Sequence, residues 1–181
     1  MSFLHNLQLK LHQYFLQKKL KKNQVERYSL PFTKAKRIGI LYNATNPENE
    51  AIVSAYRKRL QNEGKKVEML AFINDKENHD QQLFKYFNRK NLSWILEPKG
   101  SVVEQFMDTP FDVLLCLHIE PLTPLECVAA LSKAHLRVGQ YRSSNTYDSY
   151  DLSIDTPKGD NLKNFIGQVD YYIKNLNKEK K

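Results

Sequence analysis

The chain has 181 residues, 41% hydrophobic and 11% aromatic, with two cysteines and a formal net charge of +8. That length and apolar content suit one domain with an appendage and exclude general disorder. Two cysteines make no disulfide framework and fit a reducing compartment, and no run approaches the roughly 18 apolar residues of a spanning helix.

The charge is unevenly placed. Residues 1–37 hold nine Lys and Arg against one acid, Glu26, whereas residues 38–181 hold nineteen of each. The stretch "QKKLKKNQVER" at 17–27 alone carries four lysines and an arginine. The N-terminus does not read as a signal peptide, because its lysines follow the apolar residues and Lys10 interrupts them. A cytoplasmic, electrically neutral domain with a cationic arm is expected.

In chain order, residues 3 to about 26 lack Gly and Pro, and Leu4, Leu7, Leu11 and Phe15 recur at helical spacing, with Leu16 and Leu20 extending the apolar side. Pro31 blocks continuation. From Arg37 the rhythm changes. "RIGILYN" (37–43) is an apolar run of the kind covered on both faces. Asn46 is placed to cap the next helix, with Pro47 in its first turn and Glu48 and Glu50 near its positive end. That helix offers Ile52, Val53, Tyr56 and Leu60 to a core and ends near Gly64. "KVEMLAFI" (66–73) is a second strand, a helix is expected around 79–90, and "LSWIL" (92–96) reads as a third strand.

Ser101 with Glu104 has the form of a capping box, and Thr123 to Glu126 that of a second, with Pro124 in the first turn. Between them "DVLLCLHI" (112–119) is the clearest central strand. "LRVGQY" (136–141) and "DLSID" (151–155) are the last strands, and a final helix places Leu162, Phe165, Ile166, Val169, Ile173 and Leu176 on one stripe. The expected organisation is a basic amphipathic helical arm (1–30), a linker (31–36), an α/β domain (37–176) and a lysine-rich tail (177–181). The alternation predicts a three-layer Rossmann-like or flavodoxin-like α/β fold with a mostly parallel sheet.

Such sheets bind ligands beyond their strand C-termini, which makes three loops the candidates for chemistry. "NATNPENE" (43–50) has no glycine and no lysine, and Glu48 and Glu50 stand where a phosphate needs donors. Asn43, Thr45 and Asn46 read as turn and capping residues, and no cofactor is expected. In "CLHIEPLTPLEC" (116–127), Cys116 and His118 share a strand face, but the spacing to Cys127 matches no zinc pattern. Buried inert thiols are the expected reading there, with no metal and no catalytic residue. "RSSNTYDSYD" (142–151) is a polar loop suited to binding or simply to solvent.

The pattern "FDVLLCLHIEPLTPLECVAALSKAHLRVG" (111–139) resembles the N-terminal half of heptosyltransferase-type glycosyltransferases over about 29 residues. These are apolar and capping positions, so the likeness implies a fold and no active-site residue. The whole chain is more similar to a family of small uncharacterised bacterial proteins sharing the basic N-terminal helix ("LQKKLKKNQ"), "RIGILYNAT", "GKKVEMLAFI" and "FDVLL…ALSKA…VG". That resemblance implies the architecture and brings no activity.

Function therefore turns on the arm. Lys18, Lys19, Lys21, Lys22, Arg27, Lys34, Lys36 and Arg37 are the candidate contacts to RNA or a ribonucleoprotein, where they would neutralise phosphates, with Tyr14, Phe15 and Tyr28 interleaved for stacking. A non-enzymatic accessory protein is the expected role. Alternatives are an anionic membrane surface or a protein partner engaged by the same helix, and, more remotely, a small-molecule-binding enzyme.

Overall fold

The computed structural model describes residues 3–79, 81–142 and 149–176. Its centre is a six-stranded sheet ordered β3-β2-β1-β4-β5-β6. The strands are β1 (Arg37–Asn43), β2 (Lys66–Ile73), β3 (Tyr86–Asn88), β4 (Val113–Leu117), β5 (Leu136–Gln140) and β6 (Leu152–Ile154). Every neighbouring pair is parallel. Among the described residues five α-helices accompany them: α1 (Phe3–Leu20), α2 (Pro47–Asn62), α3 (Ser101–Asp108), α4 (Thr123–Leu131) and α5 (Leu162–Asn175). The three-layer Rossmann-like expectation and the preceding helix are both present in this architecture.

The layers follow from strand alternation. Ile38, Ile40 and Tyr42 of β1 and Val113, Leu115 and Leu117 of β4 face α2 and α5. Leu41, Leu114 and Cys116 face the other way, onto Val103 and Phe106 of α3 and Leu125 and Val128 of α4. With both faces covered, the central strands can be apolar at every position. Residues 111–139 are thus β4, α4 and β5 with their connections, a strand–helix–strand unit that any such sheet contains.

Helix α1 adds a partial fourth layer. Leu16 is buried against Cys127 and Ala130 of α4, with Leu20 and Leu131 beside it. The irregular turn at 93–97 receives the rest: Gln8 Nε2 donates to the Trp94 carbonyl, His12 Nδ1 lies 2.8 Å from the Ile95 carbonyl, and Lys19 pairs with Glu97. The packing face is therefore His12, Leu16 and Leu20, whereas Leu4, Leu7 and Phe15 of the anticipated stripe point outward. Leu16 meets the small side chains Cys127 and Ala130 of α4, and this contact fixes the rotation of α1.

The chain then crosses the lower end of the sheet. Asn23 Nδ2 donates to the Leu131 carbonyl at 2.8 Å, and the Tyr28 ring stacks on His135 with centroids 4.2 Å apart. Phe32 and Ala35 enter the α2–α5 core. Lys65 Nζ donates to their carbonyls at 2.6 and 2.7 Å. The stretch 31–36, read as a linker, thus places two side chains in the main core.

Three local expectations are corrected. α1 ends at Leu20, not near 26, and the following backbone follows α4 and His135. Among the described residues of 79–90 no α-helix forms: Tyr86–Asn88 pair with β2 as β3, and Arg89–Asn91 make one 3₁₀ turn. The edge of β2 requires a strand partner, and Phe87 packs on Phe72 at 5.0 Å, which outweighs local helical spacing. Residues 92–96 are not the third strand, since Leu92 bridges Pro98 and Leu96 adopts φ 59° in a turn. Neither anticipated capping box forms: Gly100 and Leu122 are the N-caps, without side-chain bonds. Asn46 does cap α2, accepting from the Glu48 amide.

Phe32 gives the first prediction. Phe32→Ala should lower stability by about 3–5 kcal/mol, the usual cost of emptying an aromatic core site. Leu4→Ala, on the outward face of α1, should change it by less than about 0.5 kcal/mol. Urea unfolding measures both, and near-equal midpoints would mean that Phe32 contributes little to the core.

Candidate functional site

The eight predicted cations do not form one patch. Arg27 turns inward and donates to the Ala134 carbonyl, and burial, reinforced by the nearby Arg137, lowers its pKa to about 10. Lys19 is held by Glu97. Lys18, Lys21 and Lys22 stand exposed at the C-terminal end of α1, where they also complement the negative end of its dipole. Lys34, Lys36 and Arg37 lie exposed at the entry to β1, with Arg37 Nη2 3.5 Å from Glu68. Asp112 accepts from the amides of Lys36 and Arg37 at 2.6 and 2.8 Å, which fixes the start of that strand.

Two aromatics accompany the first group. Tyr14 is 61% exposed and Phe15 42%, their rings meeting edge to face with centroids 5.4 Å apart. The third anticipated aromatic, Tyr28, has one ring face occupied by His135. A further one was not singled out from the sequence: Trp94, 62% exposed, in the turn that docks α1. Its pattern, a lone Trp in a short apolar run, reads as a buried strand residue, so only the turn geometry exposes it.

A second cluster occupies the switch point of the sheet, where β1 and β4 lie side by side and the connections lead to opposite faces. Residues of 43–50 and 116–127 meet Arg142 and Tyr150 here. His118, buried just beyond β4, has Nδ1 2.9 Å from the Glu120 carbonyl and Nε2 3.2 Å from the Tyr150 hydroxyl. The Glu120 carbonyl favours the proton on Nδ1, with Nε2 accepting from Tyr150, while Arg142 Nη2 stands 3.3 Å from the same Nδ1. Tyr150 reaches this position because Gly139 has no side chain; a Cβ there would lie 2.5 Å from the ring. Next to it, Asp151 clamps the buried Arg137 through Oδ1 at 2.8 Å and Oδ2 at 3.0 Å.

Arg142 Nη2 donates to the Glu120 carbonyl at 2.8 Å, and its Nε lies 3.5 Å from Glu126 Oε1. Glu126, anticipated as the closing residue of a capping box, is instead a buried carboxylate facing this guanidinium. Burial raises its pKa, and Arg142 opposes that shift. Among the described residues, Glu126 Oε1, Arg142 Nε and Ser149 Oγ are buried without a hydrogen-bond partner. Asn43 completes the rim, donating to Glu120 at 3.4 Å and accepting from the Thr45 amide at 3.0 Å. Most of the 142–151 loop, and the 177–181 tail, lie outside the described residues.

The chemistry available here is limited. Cys116 and Cys127 are free and buried, and desolvation raises both thiols, which disfavours a thiolate. Among the described residues no group of three His, Cys, Asp or Glu could hold a metal ion, and no helix is long and apolar enough to cross a membrane. The cluster ties three strand ends together and carries buried polar groups that are only partly satisfied.

Residues 8–176 match the Family of unknown function (DUF6913), and the chain belongs to it. No match was found among curated proteins.

His118 makes the switch-point network pH-sensitive. Burial lowers its pKa from 6.5 to about 4, with Arg142 adding to the effect. Between those values the unfolded chain takes up a proton that the folded one refuses. Its contribution is therefore complete above pH 6.5 and falls as pH drops toward 4, by at most about 1.4 kcal/mol per unit. Glu126 titrates with the opposite sign and His12 with the same sign, so the readout is the difference between parent and His118→Asn. The variant should be less stable at neutral pH yet lose less on acidification. Equal slopes in urea series from pH 7 to 4.5 would remove His118 from the account.

Proposed function

We propose that the protein is a non-enzymatic accessory factor that binds RNA, alone or in a ribonucleoprotein, through the exposed end of α1. The observation that carries this reading is the confinement of the whole net charge to residues 1–37, with Lys18, Lys21 and Lys22 left exposed in the last turn of α1 and just beyond it. A domain of zero formal charge exerts no net long-range attraction on a polyanion, so the arm must supply it. Lys34, Lys36 and Arg37 form a separate exposed basic group at the entry to β1, while Lys19 and Arg27 act mainly in docking the arm.

A second reading, an anionic membrane surface, is favoured by one observation: Leu4 and Leu7 are 67% and 39% exposed on the outer side of α1. Against it, the ridge of Leu4, Leu7, Leu11 and Tyr14 runs into Lys18 after about four turns. The opposite side of the helix is already committed to α4. An interfacial helix gains from a continuous apolar face, which this ridge does not provide.

Changing Lys18, Lys21 and Lys22 together to Gln should reduce the log–log salt slope for RNA binding by up to about two, at roughly 0.7 per phosphate neutralised on a single strand. Lys19→Gln should lower stability slightly and leave the slope nearly unchanged. Binding is measured by fluorescence anisotropy across a salt series, with flotation on phosphatidylserine vesicles run in parallel. An unchanged slope in the triple variant would sink the RNA reading, and vesicle binding without RNA binding would replace it with the membrane one.

A further inference from the structure

We infer that the RNA held by this protein is single-stranded, its unpaired bases stacking on exposed Tyr14, Phe15 and Trp94 while Lys18 and its neighbours hold the phosphates. This rests on the RNA reading above and adds the state of the strand. Three large aromatics stand in water: Tyr14 and Phe15 meet on α1, and Trp94 lies in the turn that docks on the Gln8, His12 and Lys19 side of the same helix. Such exposure is costly unless something covers it. Tyr14 and Phe15 are 61% and 42% exposed on α1, and Trp94 is 62% exposed in the turn whose carbonyl receives Gln8 of that helix. All three sit on ordered elements: Trp94 is in a turn closed by Ser93–Glu97 and Leu96–Ser93 backbone bonds of 2.9 Å, and α1 is pinned at His12, Leu16 and Lys19.

The cations are placed to match. Lys18 follows Tyr14 by four residues and Phe15 by three, so it shares their side of the helix, and Lys22 repeats the position one turn on. Lys10 precedes Tyr14 by the same interval of four and is exposed. A row of lysines beside ring faces is the arrangement that grips an extended strand through its phosphates and bases together. A duplex keeps its bases stacked inside, and the deep, narrow major groove of A-form RNA does not admit this helix, so the rings would stay uncovered. The edge-to-face contact of Tyr14 with Phe15, at 78°, does not bury either ring between two partners, unlike Tyr28, which already lies on His135 at 26°.

Trp94 is the only tryptophan in the chain, so its emission reports on this place directly. The full-length protein is titrated with a twelve-nucleotide oligouridylate and with a duplex RNA of equal phosphate number at matched salt. The expected result is tighter binding of the single strand, with quenching of Trp94 emission that the duplex does not produce. Tyr14→Ala with Phe15→Ala should weaken the oligouridylate about tenfold or more, leave duplex binding and the salt slope unchanged, and keep the melting temperature within a few degrees. Trp94→Ala, whose backbone bond to Gln8 survives, serves as a second variant should the double one fail to fold.

If the aromatic variants bind like the parent while the triple lysine variant loses affinity, stacking is wrong and the RNA reading stands. Duplex binding as tight as single-strand binding also overturns the inference. If neither RNA binds but phosphatidylserine vesicles do, both readings fall together.

Discussion

Helix α4 turns no face fully to water, and much of the rest depends on that. Every residue from Pro124 to Ala130 is buried. One side lies on the sheet, with Leu125, Val128 and Ala129 packed in the α3–α4 core. Cys127 and Ala130 lie on the other side, where a bare helix would present apolar surface to water. α1 is the cover. Its rotation is set by the one row that meets those small side chains, Leu16 with Leu20, and by the His12 contact to the turn at 93–97.

That single docking decision sorts the charges. Lys19 falls beside Glu97, and Arg27 beneath the end of α4 reaches a carbonyl, whereas Lys18, Lys21 and Lys22 are carried outward. The half-exposed Lys19–Glu97 pair contributes no more than about 1 kcal/mol, so the arm is held by burial and by hydrogen bonds to carbonyls. The same rotation pushes Leu4, Leu7, Tyr14 and Phe15 into solvent. A surface that is both cationic and aromatic is thereby a consequence of covering α4, and it is rigid because its far side is packed.

The switch point is governed by a different constraint. Parallel strands that end together bring their following loops together, whatever those loops contain. Here they bring a neutral imidazole, a half-buried guanidinium and a buried carboxylate, with Glu48 and Glu50 at the start of α2. The partly satisfied buried groups make the network sensitive to protonation.

Much of the fold was legible because its signals are local. Apolar runs at β1, β2 and β4, the Asn46–Pro47 start of α2 and the stripe of α5 each follow from chain neighbours alone, and their alternation implies a parallel sheet. The charge partition, too, is a property of composition. Tertiary structure alone decided the rest. Residues 86–88 became a strand because β2 had an open edge, which no window around them encodes. Glu126 left its capping role because Arg142, sixteen residues on, lies opposite it in the folded chain. The outward face of α1 was decided by a helix more than a hundred residues away: several rows of α1 are apolar enough to pack, and only the shape of α4 selects among them.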